Sequence, residues 1–396
     1  MTDVAAKQIL SDRIEKLFSS LAQKGVPYDT AVIISKVNQY YFTGTLQDGL
    51  LVLQKNGQYT FFVRKSFARA IAESPLDQIY EMSTYRDMQS ILPTDLGDTY
   101  IETEIMPLIT LERLRKYFTI HRILPLDKIL SSIRAVKSDA EIAIIAESGR
   151  NHQYVMENIV PTLLREGISE TDFAAKLYSE MVQRGHHGVS RFSMFQMEMI
   201  VGQIGFGETS IYPTNFDGPG GMLGMSPAVP LLGNRDRCLR KGDIVFVDVG
   251  FGMLGYHSDK TQIYSFGQHP AESVCKIHRA CMNVLTKAAA LLLPGNRPSE
   301  IYREAMDNLP PELENNFMGY GKNRVSFLGH GVGLYIDEQP IIAPGQGEVL
   351  SENMVIALEP KCGIEGVGTV GVEETYVVKK TGAICLTGNA KEIITV

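Results

Sequence analysis

Residues 242–267, GDIVFVDVGFGMLGYHSDKTQIYSFG, decide most of the fold. The first half sets Val245, Val247 and Val249 against Phe246 and Asp248, the alternation of a strand with two different faces. A glycine-rich centre turns the chain and the second half returns as another strand. Asp248 and Asp259 lie on opposite arms, 11 residues apart, a spacing that a hairpin folds back into contact. A carboxylate in an apolar strand is costly to bury without a counter-charge, and a metal ion is an economical one for two. Taken singly, either Asp reads equally well as an exposed strand-face or turn carboxylate; the pair favours metal ligation.

Three more candidate ligands follow downstream. His330 lies in FLGHGVGL (327–334), where Gly329, Gly331 and Gly333 are expected to take unusual dihedrals and to let the backbone approach its neighbours. Glu359 closes the strand MVIALEP (354–360), which Pro360 stops, and Glu373 stands in GVEETYVV (371–378). Their 14-residue separation suits adjacent antiparallel strands, and strand alternation leaves open whether Glu373 or Glu374 points inward. Asp248, Asp259, His330, Glu359 and Glu373 together form a hard, oxygen-rich donor set of about four negative charges, which suits two divalent metal ions. Mn, Co, Fe and Zn are all compatible with it, and the set points to hydrolytic chemistry.

Upstream, the pattern is that of a small α/β domain. An amphipathic helix is expected over 8–25, and the short apolar runs TAVIIS (30–35), YYFTG (40–44), GLLVLQ (49–54), YTFFVR (59–64) and DTYIETE (98–104) alternate with helical stretches 66–74, 85–92 and 108–117. Asn56-Gly57 between two of these runs is a hairpin signal. Ser138, three residues before Glu141, forms a capping box that opens a long helix. It places the domain boundary near 134–138 and gives domains 1–134 and 135–396. Helices are expected at 139–159 and 169–184, extended glycine-rich chain over 188–267, helices again at 271–293 and 298–308, then strands. Two helices followed by strands, twice over, indicate an α+β domain with an internal duplication.

Composition narrows the function. At 396 residues the chain can bury two cores, and a net charge of -7, from 38 Lys+Arg against 45 Asp+Glu, offers no electrostatic footprint for nucleic acid or an anionic membrane. Peptide or small-molecule partners are therefore expected. The N-terminal sequence has acidic residues where a signal peptide needs an apolar core, and no stretch reaches membrane-spanning length, so a cytoplasmic protein is expected. Cys238, Cys275, Cys281, Cys362 and Cys385 are odd in number and lack CxxC spacing, which argues for reduced thiols. The segment 207–230, GETSIYPTNFDGPGGMLGMSPAVP, reads as a substrate-pocket loop with Tyr212, Asn215 and Phe216 as contacts, or equally as a flexible surface excursion. Its GPGG lacks the strand-before, helix-after setting of a phosphate loop.

Together these stretches resemble the metallopeptidases of the pita-bread fold, the group of Xaa-Pro aminopeptidase, prolidase, methionine aminopeptidase and creatinase. The resemblance covers nearly the whole chain, including a creatinase-like N-terminal domain at DTAVIISKVNQYYFTG (29–44) and the junction IRAVKSDAEI (133–142). It implies a catalytic domain of two α-α-β-β halves around a pseudo-twofold, two ions and a homodimer. Asp248 and Glu373 match the bridging or bidentate carboxylates, Asp259 completes one ion's shell, and His330 with Glu359 completes the other's. Glu359 matches the residue that accepts the water's proton, and the family motif selects Glu373 over Glu374.

The outer positions depart from the family. Its histidine 17 residues before the first Asp corresponds to Leu231, although the frame Arg237, Leu239, Gly242 and Asp243 is intact. The histidine seven residues after the ligand His corresponds to Asp337, the one four residues before it to Ser326, and an Arg two residues before the final Glu to Gly371. These changes point away from proline-peptide cleavage, with Leu231 and Ser326 expected beside the substrate and Asp337 binding a substrate cation or shuttling a proton. His186, His187 and His257 are the remaining candidates for lost histidine functions. The expected activity is hydrolysis of an amide-type C–N bond; the alternatives are a creatinase- or ectoine-hydrolase-like small-molecule hydrolase, a lyase, or a non-catalytic binding protein.

Overall fold

The short apolar runs of the N-terminal region assemble into one mixed sheet. In the computed structural model, which describes residues 3–194 and 197–396, the chain divides into two compact units, Met1–Arg134 and Ala135–Val396. The first contains α1 (Asp3–Gln23), β1 (Thr30–Ile33), α2 (Lys36–Thr43), β2 (Asp48–Gln54), β3 (Tyr59–Lys65), α3 (Phe67–Glu73), β4 (Ile79–Glu81), β5 (Asp95–Ile101), α4 (Leu108–Arg115), β6 (Thr119–Pro125) and α5 (Asp127–Ala135). Strand order is β4-β3-β2-β1-β5-β6, with β2 antiparallel to both its neighbours and the outer pairs parallel. Gly57, at φ +88°, turns β2 into β3 where the Asn-Gly dipeptide predicts a hairpin. One expectation fails here: YYFTG is helical. Ser35 caps α2 by accepting the Asn38 N–H at 3.3 Å, and Gly44 ends it at φ +76°, so caps override the apolar run.

The second unit opens with the Ser138–Glu141 capping box, Ser138 N–H donating to Glu141 Oε2 at 2.8 Å and Glu141 N–H to Ser138 Oγ at 3.3 Å. It starts α6 (Asp139–Tyr154), which runs through one π turn into α7 (Val160–Leu163); α8 (Glu170–Gln183) follows. Next come β7 (Ser190–Arg191), β8 (Glu198–Met199), β9 (Gly202–Phe206), β10 (Ile244–Met253) and β11 (Tyr256–Ser265). Then α9 (Glu272–Ala290) and α10 (Pro298–Asp307) lead into β12 (Gly319–Tyr320), β13 (Asn323–Arg324), β14 (Gly329–Gly331), β15 (Glu338–Ile342), β16 (Val355–Leu358), β17 (Lys361–Ile364), β18 (Gly368–Gly371), β19 (Glu374–Val377), β20 (Ile384–Cys385) and β21 (Ile394–Thr395).

The expected duplication is visible in the layers. Val155, Phe173 and Leu177, from the first helical group, bury against Val245, Val247, Val249 and Phe251 of β10, in the sheet β21-β11-β10-β9. Cys281, Val284, Leu285 and Ile301 of α9 and α10 bury against Ile342, Ile356 and Leu358, in the sheet β15-β14-β16-β19-β20. Each such side chain contributes about 1.5–3 kcal/mol on burial, which fixes the outward face of β10 to Val245, Val247 and Val249 and turns Asp248 the other way. Among the described residues no helix is long and apolar enough to cross a membrane.

Candidate metal centre

Register alone puts the two aspartates together. Asp259 pairs with Gly250 across the β10–β11 hairpin, and Gly250 lies two residues from Asp248, so both carboxylates occupy one face. Gly250 lets Ile336 pack close: a Cβ there would stand 2.3 Å from Ile336 Cδ1 and would displace that side chain. The five-stranded sheet repeats the logic. His330 pairs with Ala357 and Ala357 with Thr375; Glu359 and Glu373 are two residues from those partners, so His330, Glu359 and Glu373 share a face. Alternation then sends Glu374 to the opposite face, where it meets Lys260.

The two sheets are clamped at this point. Asp259 N–H donates to Thr375 Oγ1 and that hydroxyl donates to the Asp259 carbonyl, both at 2.8 Å, while Thr261 Oγ1 donates to Glu373 Oε2 at 3.0 Å. Gly329, Gly331 and Gly333 permit close approach only; none has positive φ, and a Cβ on Gly331 would lie 2.2 Å from the Gln339 carbonyl oxygen.

Asp259, His330 and Glu373 offer ligand atoms within 4.8 Å of one another, as do Asp248, Glu359 and Glu373. The resemblance groups His330 with Glu359, and His330 Nε2 lies 3.4 Å from Glu359 Oε1 and 3.8 Å from Glu373 Oε1, with Asp259 a further carboxylate within reach. One more residue, not singled out from the sequence, belongs to the cluster. Lys361, fully buried on β17, directs Nζ to Asp248 Oδ2 at 2.9 Å, Glu359 Oε2 at 2.7 Å and Glu373 Oε2 at 2.7 Å, drawing those three together. Its cross-strand partner is Gly371, where a Cβ would lie 2.4 Å from the Pro360 carbonyl oxygen and 3.1 Å from Lys361 Cβ. The signal was available: Lys361 lies two residues beyond Glu359, on the same side of an apolar stretch, where an ammonium needs counter-charge.

Electrostatics separate the two groups. Burial works against the Lys361 charge, but Asp248, Glu359 and Glu373 outweigh it and hold its pKa well above the usual value. Burial likewise opposes ionisation of Glu359, yet Lys361 and the His330 contact at 3.4 Å keep that carboxyl below its ordinary value. Burial and then the Asp248 charge push Asp259 up to about 8. His330 is raised to about 9, because Glu359 and Asp259 outweigh the burial that favours neutral imidazole. Glu373 Oε1 is buried without a hydrogen-bond partner. A carboxylate oxygen without a hydrogen bond, 3.8 Å from His330 Nε2 and beside a second carboxylate, fits a divalent ion at Asp259, His330 and Glu373, a mixed oxygen and nitrogen donor set of the kind such ions take.

These groups open into a cavity of about 170 Å³ whose walls include Phe192, Phe216, Phe327, Ile336 and Ile341, with Asp217 and Asp337 on its lining. Among the described residues, no lysine or arginine lines it. Asp337 accepts from Ser193 N–H at 2.6 Å and Ser193 Oγ at 3.1 Å; burial raises its pKa. The other outer candidates are elsewhere. Tyr212 is half-exposed and lines a separate cavity with Lys322 and Arg324, Asn215 and Ser326 are exposed and line neither, and Leu231 is engaged through its carbonyl with Met225 N–H at 3.2 Å. Each was expected at the substrate, and the loop path turns each away. His186, His187 and His257 gather instead around the far end of the β10–β11 hairpin, accepting from the N–H groups of Gly252, Gly255 and Arg191.

Residues 143–380 match the family model of metallopeptidase family M24, and residues 13–136 match the creatinase/prolidase N-terminal domain. The chain is 25% identical over 395 residues to an Xaa-Pro dipeptidase of Pyrococcus furiosus, covering 97% of this chain and 100% of that one. Among solved structures it resembles a prolidase from Pyrococcus horikoshii, with a TM-score of 0.79, 24% identity, and 97% and 100% of the two chains covered. It also resembles an X-Pro aminopeptidase from Thermotoga maritima, with a TM-score of 0.76, 21% identity, and 97% and 99% covered. At those identities the structural likeness speaks for the pita-bread fold alone.

Proposed function

The chain belongs to metallopeptidase family M24, with a creatinase/prolidase N-terminal domain ahead of the catalytic one, and from that premise we propose that this enzyme hydrolyses an amide-type C–N bond in a neutral or cationic substrate. The observation that carries the reading is the cavity, which joins Asp259, His330 and Glu373 to aromatic walls and two further aspartates while offering no lysine or arginine among the described residues. A free C-terminal carboxylate, which every dipeptide carries, meets no lysine or arginine there and shares the lining with Asp217 and Asp337. A bound divalent ion, Mn, Co, Fe or Zn, supplies Lewis acidity at a carbonyl and acidity to water.

The chain's own groups supply the rest. Asp259, His330 and Glu373 hold the ion, and Glu359, kept ionised by Lys361, accepts a proton at Oε1. Asp337, with its raised pKa and its grip on Ser193, carries a proton to the leaving nitrogen or faces a substrate cation. Phe192, Phe216 and Phe327 exclude water from the reacting bond. The relatives named for Xaa-Pro dipeptides support a second reading, cleavage of those peptides, and the acidic lining supports a small-molecule guanidino or amidine substrate as the non-peptide case. A homodimer in the cytoplasm completes the reading; light scattering measures its first part.

The deciding assay compares Xaa-Pro dipeptides, their C-terminal amides and small cyclic amidines, each with added Mn. Amides or amidines should turn over at least about tenfold faster than the free acids, the cost of one unpaired charge in a dry site. Faster turnover of the free acids would hand the site to the dipeptidase reading. Glu359→Gln should retain metal and lose about 10²–10⁴ in kcat.

A further inference from the structure

Family M24 centres typically hold two metal ions, and one of the two positions available to them here is already filled by protein. Asp248, Glu359 and Glu373 each give one oxygen to the Lys361 ammonium, at 2.9, 2.7 and 2.7 Å. An ammonium has three N–H donors, so these three contacts use all of them. The side chain is fully buried, and it reaches the centre from β17, opposite Gly371, where no side chain fits. The remaining group, Asp259, His330 and the free Oε1 of Glu373, receives nothing from the lysine.

We propose that the Lys361 ammonium stands in for one cation of this centre, so that the protein carries a single divalent ion, at Asp259, His330 and Glu373. The inference rests on the reading above that the centre binds metal. Four carboxylates bring four negative charges, and one ammonium with one divalent ion brings three positive ones, which leaves the centre within one charge of balance without a second ion. A second ion on Asp248 and Glu359 would share their oxygens with the ammonium and sit in contact with a like charge. In this arrangement Lys361 is a positioning residue: it orients Glu359 Oε2 and Asp248 Oδ2 and supplies them with a counter-charge that is neither exchangeable nor removable by a chelator.

The test is metal content rather than turnover. Wild-type protein and Lys361→Ala are loaded with Mn, dialysed, and measured by plasma mass spectrometry, with circular dichroism as the check on folding. The expected result is about one equivalent per chain in the wild type and about two in the variant, whose ammonium no longer holds the second position. About two equivalents in the wild type, or no gain in a folded variant, overturns the proposal. No metal in the wild type overturns the single-ion proposal together with the metal-dependent function, whereas two equivalents in the wild type overturn the proposal alone. Should the variant not fold, anomalous diffraction from Mn-soaked wild-type crystals decides: one peak beside His330 with Lys361 still on Asp248 supports the proposal, and two peaks with the lysine displaced overturn it.

Discussion

Two buried lysines, Lys260 on β11 and Lys361 on β17, solve opposite problems. Lys260 and Glu374 are fully buried and pair one to one, with Thr387 Oγ1 donating to the second Glu374 oxygen. Lys361 meets three carboxylates, with Asp259 a fourth nearby, and the charge there is left unbalanced. The contrast is built by alternation. Asp259 and Lys260 are consecutive on β11, Glu373 and Glu374 are consecutive at the start of β19, and each pair sends one side chain to each face. One face is a closed structural pair; the other gathers more carboxylates than its single lysine can pair. A balanced buried pair marks architecture, and an unbalanced one marks a binding site.

The strongest way to break this distinction is to unbalance the balanced side. Lys260→Met leaves Glu374 ionisable and unpaired in a dry interior and should cost about 3–5 kcal/mol in denaturant unfolding, with metal content per folded chain unchanged. Lys260→Met combined with Glu374→Leu removes both charges and should regain most of that loss. A single variant as stable as the wild type would show that the pair carries no structural duty.

What the sequence exposes follows the same line. The hairpin spacing of Asp248 and Asp259 and the strand positions of His330, Glu359 and Glu373 are local, periodic signals, and register converts them directly into shared faces. Lys361 carries a weaker signal: its place two residues beyond Glu359 sets a cation beside one candidate ligand, while its contacts with Asp248 and Glu373, more than ten residues away, come only from the fold. The helix α2 was hidden because Ser35 and Gly44 outweigh an apolar run that reads as a strand. Leu231, Ser326, Tyr212 and Asn215 sit in loops whose course depends on tertiary contacts rather than on period, and it is there that expectation and geometry part.

The histidines extend the comparison at lower stakes. His330 among carboxylates is pushed up, whereas burial pushes His257 down to about 3 and His186 to about 4. His187 and Arg191 face His257, and His187 faces His186; each adds to the depression. For a depressed histidine the unfolded chain binds the proton more tightly, so its stabilising effect is complete above the unfolded value near 6.5 and is lost as pH falls toward the folded value. At pH 5 each of the two should favour unfolding by about 2 kcal/mol relative to neutral pH. Melting followed from pH 7 to 5 should show the decline, and His257→Asn, which keeps a donor near the Gly333 carbonyl, should remove its own share of about 2 kcal/mol. An unchanged slope in that variant would place the acid sensitivity elsewhere.

The smallest effect falls in the segment 207–230, where residues of one loop divide between the two kinds of region. Phe216 lines the cavity and packs edge-on against Phe192 at 5.3 Å between ring centroids, while Tyr212, half-exposed, faces a different cavity beside Lys322 and Arg324. Phe216→Ala removes a wall that touches substrate and one aromatic pair of about 0.5–1.5 kcal/mol, so KM should rise by about three- to tenfold with kcat within about twofold. Tyr212→Ala should leave both constants and the melting temperature unmoved, because nothing that reacts is in its reach. Equal effects of the two substitutions would mean that the loop acts as a unit and that the cavity boundary drawn at Phe216 lies in the wrong place.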